Sequence, residues 1–195
     1  MRTFIALELS ERFCSEIAAA SRRLSVACDG RFMPCESYHL TLAFLGDICE
    51  AESELAVEAL DAACTLDDGT PLGPVPLRSD GLGKFGKPQD ATLWMGVYPV
   101  PELLELAERV RGELAARGLA FDEKPFKPHV TIARRARLPR GSLPLIDFPR
   151  PDEATRVTLF KSTLTSDGAV YKPLYQVELG DWGGDEAEDG AGCEA

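Results

Sequence analysis

The sequence predicts an α+β fold of largely antiparallel sheets with flanking helices, built as two similar lobes. Three observations lead there. Short runs with apolar residues at period two are interspersed with three longer runs at helical period, without the strict alternation of a parallel α/β fold. Two of the short runs, residues 155–164 and 170–179, flank Ser166-Asp167-Gly168 and read as a closing antiparallel hairpin. Finally, each half of the chain contains a strand, a long helix and a strand bearing His-x-Thr, and the two histidines stand 90 residues apart. That weak duplication suggests two lobes, each lending one motif strand to a shared cleft.

The elements follow in order. Residues 3–9 alternate as a strand. Residues 10–27 read as a helix, with Ser10 as N-cap, Glu11 in the first turn, and Phe13, Ile17, Ala20 and Leu24 at helical spacing; Cys28-Asp29-Gly30 ends it. Residues 38–45 (YHLTLAFL) form a strand that stops at Gly46-Asp47, and residues 52–64 form a second helix. Proline and glycine break residues 71–76, leaving a short strand at 75–78. Residues 81–88 (GLGKFGKP) read as a loop bordering the cleft, and 91–98 as a strand. The third helix spans residues 101–117, with Pro101 near N1 and Gly118 at C′. Residues 129–135 form the second motif strand. One domain is expected over residues 1–180, followed by a Gly- and acid-rich, disordered tail over 181–195.

Composition narrows the function classes. With 195 residues and 45% hydrophobic content, the chain can bury one sizeable core. No apolar run approaches the ~18–20 residues that span a bilayer, and Glu8 interrupts the N-terminal run too early for a signal peptide. A cytoplasmic monomer without membrane association is expected. The six cysteines, Cys14, Cys28, Cys35, Cys49, Cys64 and Cys193, form no C-x-x-C pair, so they read as free thiols rather than a zinc site or a redox motif. The net charge of −11 is unevenly spread. Six acids and no Lys or Arg fall in residues 181–195, so the body carries only about −5. In contrast, residues 124–140 hold Lys124, Lys127, Arg134, Arg135, Arg137 and Arg140 and no acid. A basic island on an acidic chain suits a local phosphate pocket better than a long nucleic-acid track.

The two histidines carry the chemistry. His39 sits in YHLTLAFLG and His129 in PFKPHVTIAR; each has aliphatic residues at +1 and +3 and Thr at +2. On a strand, residues i and i+2 share a face. His39 and Thr41 therefore point one way and Leu40 and Leu42 into the core; His129 and Thr131 stand likewise against Val130 and Ile132. Two such strands side by side offer two imidazoles and two hydroxyls to one small ligand. An imidazole titrates near neutrality, so one ring can take a proton from water while the other gives one to a leaving ribose oxygen. The hydroxyls can donate to non-bridging phosphate oxygens. A strained five-membered cyclic phosphate can be opened by such a set without a metal. One acid and one base are needed, and the spacing leaves open which is which.

With these motifs the chain resembles the 2H phosphoesterase superfamily, and within it the bacterial and archaeal RNA 2′,3′-cyclic phosphodiesterases, also called 2′-5′ RNA ligases. The likeness runs to about residue 180 and is carried by RTFIALEL at the start, HLTLAFLG, GLGKF, LWMGV and KPFKPHVTIAR. It implies a bilobal fold with a pseudo-twofold axis, its active site in the central cleft. It also implies metal-independent hydrolysis of RNA 2′,3′-cyclic phosphate ends, tRNA among them, to 2′-phosphates, with no cofactor. Carried over, His39 is the proton donor and His129 the proton acceptor; Thr41 and Thr131 bind phosphate, and Arg134 lies near it. Joining of RNA ends by 2′-5′ linkage is the reverse reaction at the same site and secondary to it. One position departs from the pattern: relatives often carry an arginine three residues before the tryptophan matching Trp94, where this chain has Ala91.

Alternatives are a phosphodiesterase acting on a small cyclic nucleotide or a 2′-5′ oligonucleotide, a non-catalytic RNA-binding module, and a metal-dependent phosphatase. Two intact motifs weigh against the binding module. Two histidines rule out a His₃ zinc site. GLGKFG lacks the G-K-[ST] ending of a phosphate-binding P-loop. Phe85 could stack on a base or anchor the core, and Tyr38 and Phe126 read as packing beneath the motif strands.

Overall fold

A computed structural model describes residues 1–165 and 168–180 of the chain. The turn residues Ser166 and Asp167, Cys193 and the whole acidic tail lie outside the described residues.

The first lobe begins with β1 (Arg2–Glu8), α1 (Glu11–Ser25), β2 (Asp29–Phe32) and β3 (His39–Asp47). Ser10 caps α1, its Oγ accepting from the Phe13 N–H at 3.0 Å. After α2 (Glu50–Cys64) come β4 (Val75–Leu77), β5 (Ser79–Lys87), β6 (Asp90–Val97), α3 (Pro101–Ala116) and β7 (His129–Arg137). Pro101 opens α3, and Gly118, at φ +73°, closes it in a Schellman turn in which the Leu119 N–H reaches the Leu114 carbonyl. The chain ends with β8 (Asp152–Ala154), β9 (Arg156–Thr165) and β10 (Gly168–Glu178).

Every strand pairing among the described residues is antiparallel. The main sheet runs β10-β9-β1-β3-β7-β6-β5, with β2 also paired to β7, and β4 and β8 form a separate two-stranded sheet. The two expected lobes are thus continuous through the motif strands, which join at the Leu40–Val130 pair and then diverge. The units β1-α1-β3 and β6-α3-β7 repeat across that junction as a pseudo-twofold pair. Leu40, Leu42, Val130 and Ile132 are fully buried in one core with Ile17 and Leu24 of α1, Leu60 of α2 and Leu103 and Leu106 of α3. Burying an aliphatic side chain of this size contributes ~1.5–3 kcal/mol. The alternate face of the motif strands is left for polar work.

Two expectations need correction. Residues 81–88 are not a loop: residues 79–87 are strand β5, paired along β6. Glycine usually weakens a strand and so reads as a break, but it also marks close approach. Gly83 stands opposite Trp94, and a Cβ there would come within 2.1 Å of the indole ring. The segment after α1 is also not merely a helix stop, because β2 pairs there with β7.

Candidate active site

The register between the motif strands sets the site. With Leu40 paired to Val130, antiparallel geometry puts His39 across from Thr131 and Thr41 across from His129. All four alternate with buried residues and are themselves half-buried, facing the cleft. The four side chains expected from the motifs are therefore brought together on one face, at the pseudo-twofold junction.

Arg134 joins them through a feature that regular alternation hides. At +5 from His129 it would face the core of an uninterrupted strand. In β7, however, Leu93 pairs with Ala133 and Trp94 with Thr131, so Ile132 is an extra residue, a β-bulge. The bulge shifts the phase and turns Arg134 to the histidine face. β3 does the same: Ile5 pairs with Ala43 and Ala6 with Thr41, leaving Leu42 extra. Both motif strands share one burial pattern over their first six residues, two buried residues in a row marking the shift. In the first lobe the re-aimed residue is Phe44, which sequence reasoning passed over. A second irregularity follows in β7, where Arg135 takes φ +54°, the only non-glycine with positive φ among the described residues.

The histidines are held alike. His39 Nδ1 lies 2.8 Å from the Ser37 carbonyl, and His129 Nδ1 lies 2.7 Å from the Lys127 carbonyl. A carbonyl only accepts, so each Nδ1 carries the proton and each Nε2 is left for chemistry. Aromatic rings fix the imidazoles further. Tyr171 stands edge-on to His39 at 5.0 Å, with Phe4 at 4.8 Å; Phe85 stands edge-on to His129 at 5.1 Å, with Trp94 at 5.8 Å. Phe85 is 41% exposed and so is a wall of the site rather than a core anchor, while Tyr38 is buried as packing. The Trp94 indole N–H is the one buried side-chain donor without a partner among the described residues.

Burial drives the His39 pKa down to about 4, against the Ser37 carbonyl and aided by the nearby charges of Arg134 and His129. His129 is also lowered, first by burial and then by Lys127 and Arg134. Arg134 thus acts on both rings. The Lys127 ammonium lies 4.5 Å from the centre of the Trp94 ring. Ala91, where relatives often place arginine, is buried and paired with Ala136 and Gly86.

Arg111 of α3, absent from the sequence reading, supports the cleft where the motif strands part. Its Nε donates to the Leu42 carbonyl at 3.0 Å and its Nη1 to the Lys124 carbonyl at 3.0 Å. A cavity of about 600 Å³ opens beside it, bordered by Thr41, Phe44, Phe85, Phe126 and His129. No group of three or more His, Cys, Asp or Glu that could hold a metal occurs among the described residues, and no helix among them is long and apolar enough to cross a membrane.

Comparison with known proteins gives the family and the fold. The 2′-5′ RNA ligase superfamily model matches residues 12–146. An RNA 2′,3′-cyclic phosphodiesterase of Thermotoga maritima is 34% identical over 184 residues, covering 92% of this chain and 96% of the relative. One from Escherichia coli is 30% identical over 146 residues, 74% of this chain and 77% of the relative. The crystal structure of Escherichia coli LigT with 3′-AMP superposes with a TM-score of 0.74 at 25% identity, covering 91% and 97% of the two chains. A crystal structure from Thermus thermophilus gives 0.76 at 27% identity, covering 92% and 98%.

Proposed function

The chain belongs to the 2′-5′ RNA ligase superfamily of 2H phosphoesterases, and on that premise we propose that it is a phosphodiesterase that opens RNA 2′,3′-cyclic phosphate ends to 2′-phosphates. The observation that carries the reading is the closed set of His39, Thr41, His129 and Thr131 around one strand junction, with Arg134 turned in by a bulge.

The Nε2 of His129 takes a proton from water as the water oxygen bonds to phosphorus. The bond from phosphorus to O3′ breaks, and the Nε2 of His39 gives its proton to O3′. The product keeps the phosphate on O2′. Each positioned proton transfer contributes typically ~10²–10⁴-fold. Thr41, Thr131 and Arg134 hold the non-bridging oxygens, where charge is carried in the transition state. Burial lowers both imidazoles, His39 to about 4, so His39 is neutral in the empty site and the donor role assigned to it needs the bound phosphate to hold its proton. A ribose 5′-hydroxyl in the place of water would make a 2′-5′ linkage at the same site.

The test is hydrolysis of a short RNA with a 2′,3′-cyclic end in EDTA, resolving 2′- from 3′-phosphate products. A 2′-phosphate formed at an undiminished rate agrees with the proposal. Loss of activity in EDTA would point to a metal-dependent phosphatase, and a 3′-phosphate product would reverse the leaving oxygen.

A further inference from the structure

We infer that Arg111 is a positioning residue for His129: its guanidinium replaces the missing ladder between the motif strands and so fixes the carbonyl that sets the His129 tautomer. The kinetic consequence rests on the activity proposed above; the effect on the ring does not.

The gap comes from the sequence. Among the described residues the motif strands share one ladder pair, Leu40 with Val130. Continued, that antiparallel register would set Pro128 against Leu42 and Phe126 against Phe44. Pro128 has no N–H to offer a carbonyl. The chain before β7 leaves the ladder instead, and the Phe44 carbonyl accepts from the Asp122 N–H at 2.9 Å. Asp122 stands where Phe126 would, and residues 123–128 loop out from β3.

Arg111 reaches into that opening from α3. Its Nε donates to the Leu42 carbonyl on β3, and its Nη1 donates to the Lys124 carbonyl on the looped segment, both at 3.0 Å. Its guanidinium also lies 5.3 Å from the centre of the Phe126 ring. One planar group thus grips both sides of the opening. Arginine suits this because its donors are fixed in a single fork, where a lysine presents one point charge.

The segment so held carries the clamp on the second histidine, the Lys127 carbonyl 2.7 Å from His129 Nδ1. That contact keeps the proton on Nδ1 and leaves Nε2 open. The first motif is built differently. The Ser37 carbonyl on His39 Nδ1 belongs to a one-turn 3₁₀ helix (Cys35–Ser37) with its own bonds, from the Ser37 N–H to the Pro34 carbonyl and from the Tyr38 N–H to the Cys35 carbonyl. One clamp is therefore local, and the other is braced from α3. The pseudo-twofold is broken at this point, and Arg111 governs His129 without governing His39.

Arg111 also borders the cavity beside Thr41 and His129, so direct contact with substrate is the rival reading.

The experiment uses Arg111→Met and Arg111→Lys in the full chain, with imidazole ¹⁵N NMR at pH 8, where both rings are neutral, and kinetics on an RNA with a 2′,3′-cyclic end. The signal lost in His39→Gln assigns the two rings. In the parent both rings should carry the proton on Nδ1. In both variants His129 should become a mixture of tautomers while His39 keeps its own. The kcat should fall by about tenfold or more, with KM within about twofold, as misplacement of a reacting group predicts. Arg111→Lys keeps the charge and the aliphatic stem, so it tests the fork even where Arg111→Met does not fold. A His129 tautomer unchanged in the variants, or both rings changing together, would overturn the inference. A higher KM at constant kcat would overturn it as well, in favour of direct substrate contact. Full activity in Arg111→Lys would show that charge alone matters and would also sink it. If the parent chain opens no cyclic ends, the activity falls, and the two imidazole signals decide the role of Arg111 by themselves.

Discussion

His39 offers a quantitative test, because a ring that burial drives down to about 4 is neutral in the empty site at pH 7, whereas the proposed donor role needs it charged. Charging it there spans three pKa units, or about 4 kcal/mol at 1.36 kcal/mol per unit. The substrate can return that amount. A phosphodiester is a monoanion, and one unit charge about 4 Å from the imidazolium at an effective dielectric of 20 contributes about 4 kcal/mol. The bound substrate should therefore bring the His39 pKa up by about three units, and the proton arrives with the ligand. The chain has two histidines, so His129→Gln leaves a single imidazole signal, and on the proposed mechanism it should hold cyclic substrate intact. NMR titration of that variant should show His39 neutral down to pH 5 without ligand and titrating near neutrality with saturating 2′,3′-cyclic nucleotide. An imidazole that titrates near 6.5 in the empty site, or that does not move on binding, would refute the reasoning.

Three further outcomes follow from the same contacts. Gly83→Ala forces a Cβ against the Trp94 ring, which backs His129; stability should fall by ~1–3 kcal/mol in urea unfolding and kcat should fall with it, whereas an unchanged midpoint would mean the sheet yields freely there. Arg135→Val puts a β-branched residue at φ +54° and should cost about 1–2 kcal/mol, while Arg135→Asn should be tolerated; the two melting temperatures decide. Because His39 is depressed from 6.5 to about 4, the unfolded chain binds its proton first on acidification, so its contribution to stability is complete above about pH 6.5 and is lost as pH falls toward 4. Replacing it, as in His39→Phe, should flatten the fall in unfolding free energy across that window, and an equal slope in both chains would contradict the shift.

Much of the site was legible because its rule is local. Period two puts His39 with Thr41 and His129 with Thr131 whatever the rest of the chain does, and the buried Leu40, Leu42, Val130 and Ile132 fall where that rule sends them. Arg134 entered through family resemblance alone. Its place on the cleft face depends on the extra residue Ile132, and a bulge has no reliable signature in one sequence. The paired burial of Leu42-Ala43 and Ile132-Ala133 is its trace, visible as matching apolar doublets three residues after each histidine. Strand β5 was hidden for the opposite reason. Gly81, Gly83 and Gly86 look like punctuation, yet Gly83 is the space that Trp94 needs. Arg111 lies in an ordinary amphipathic helix, and only the tertiary arrangement reveals that it meets the carbonyl left exposed where β3 parts from β7.

The central claim is that His39 and His129 work as one acid–base unit, and single-turnover kinetics on a cyclic-end RNA test it most directly. His39→Ala and His129→Ala should each slow ring opening by at least ~10². The double variant should be little slower than the slower single, because removing either partner already disables the unit. Full activity in either single variant, or losses that simply multiply in the double, would contradict the account.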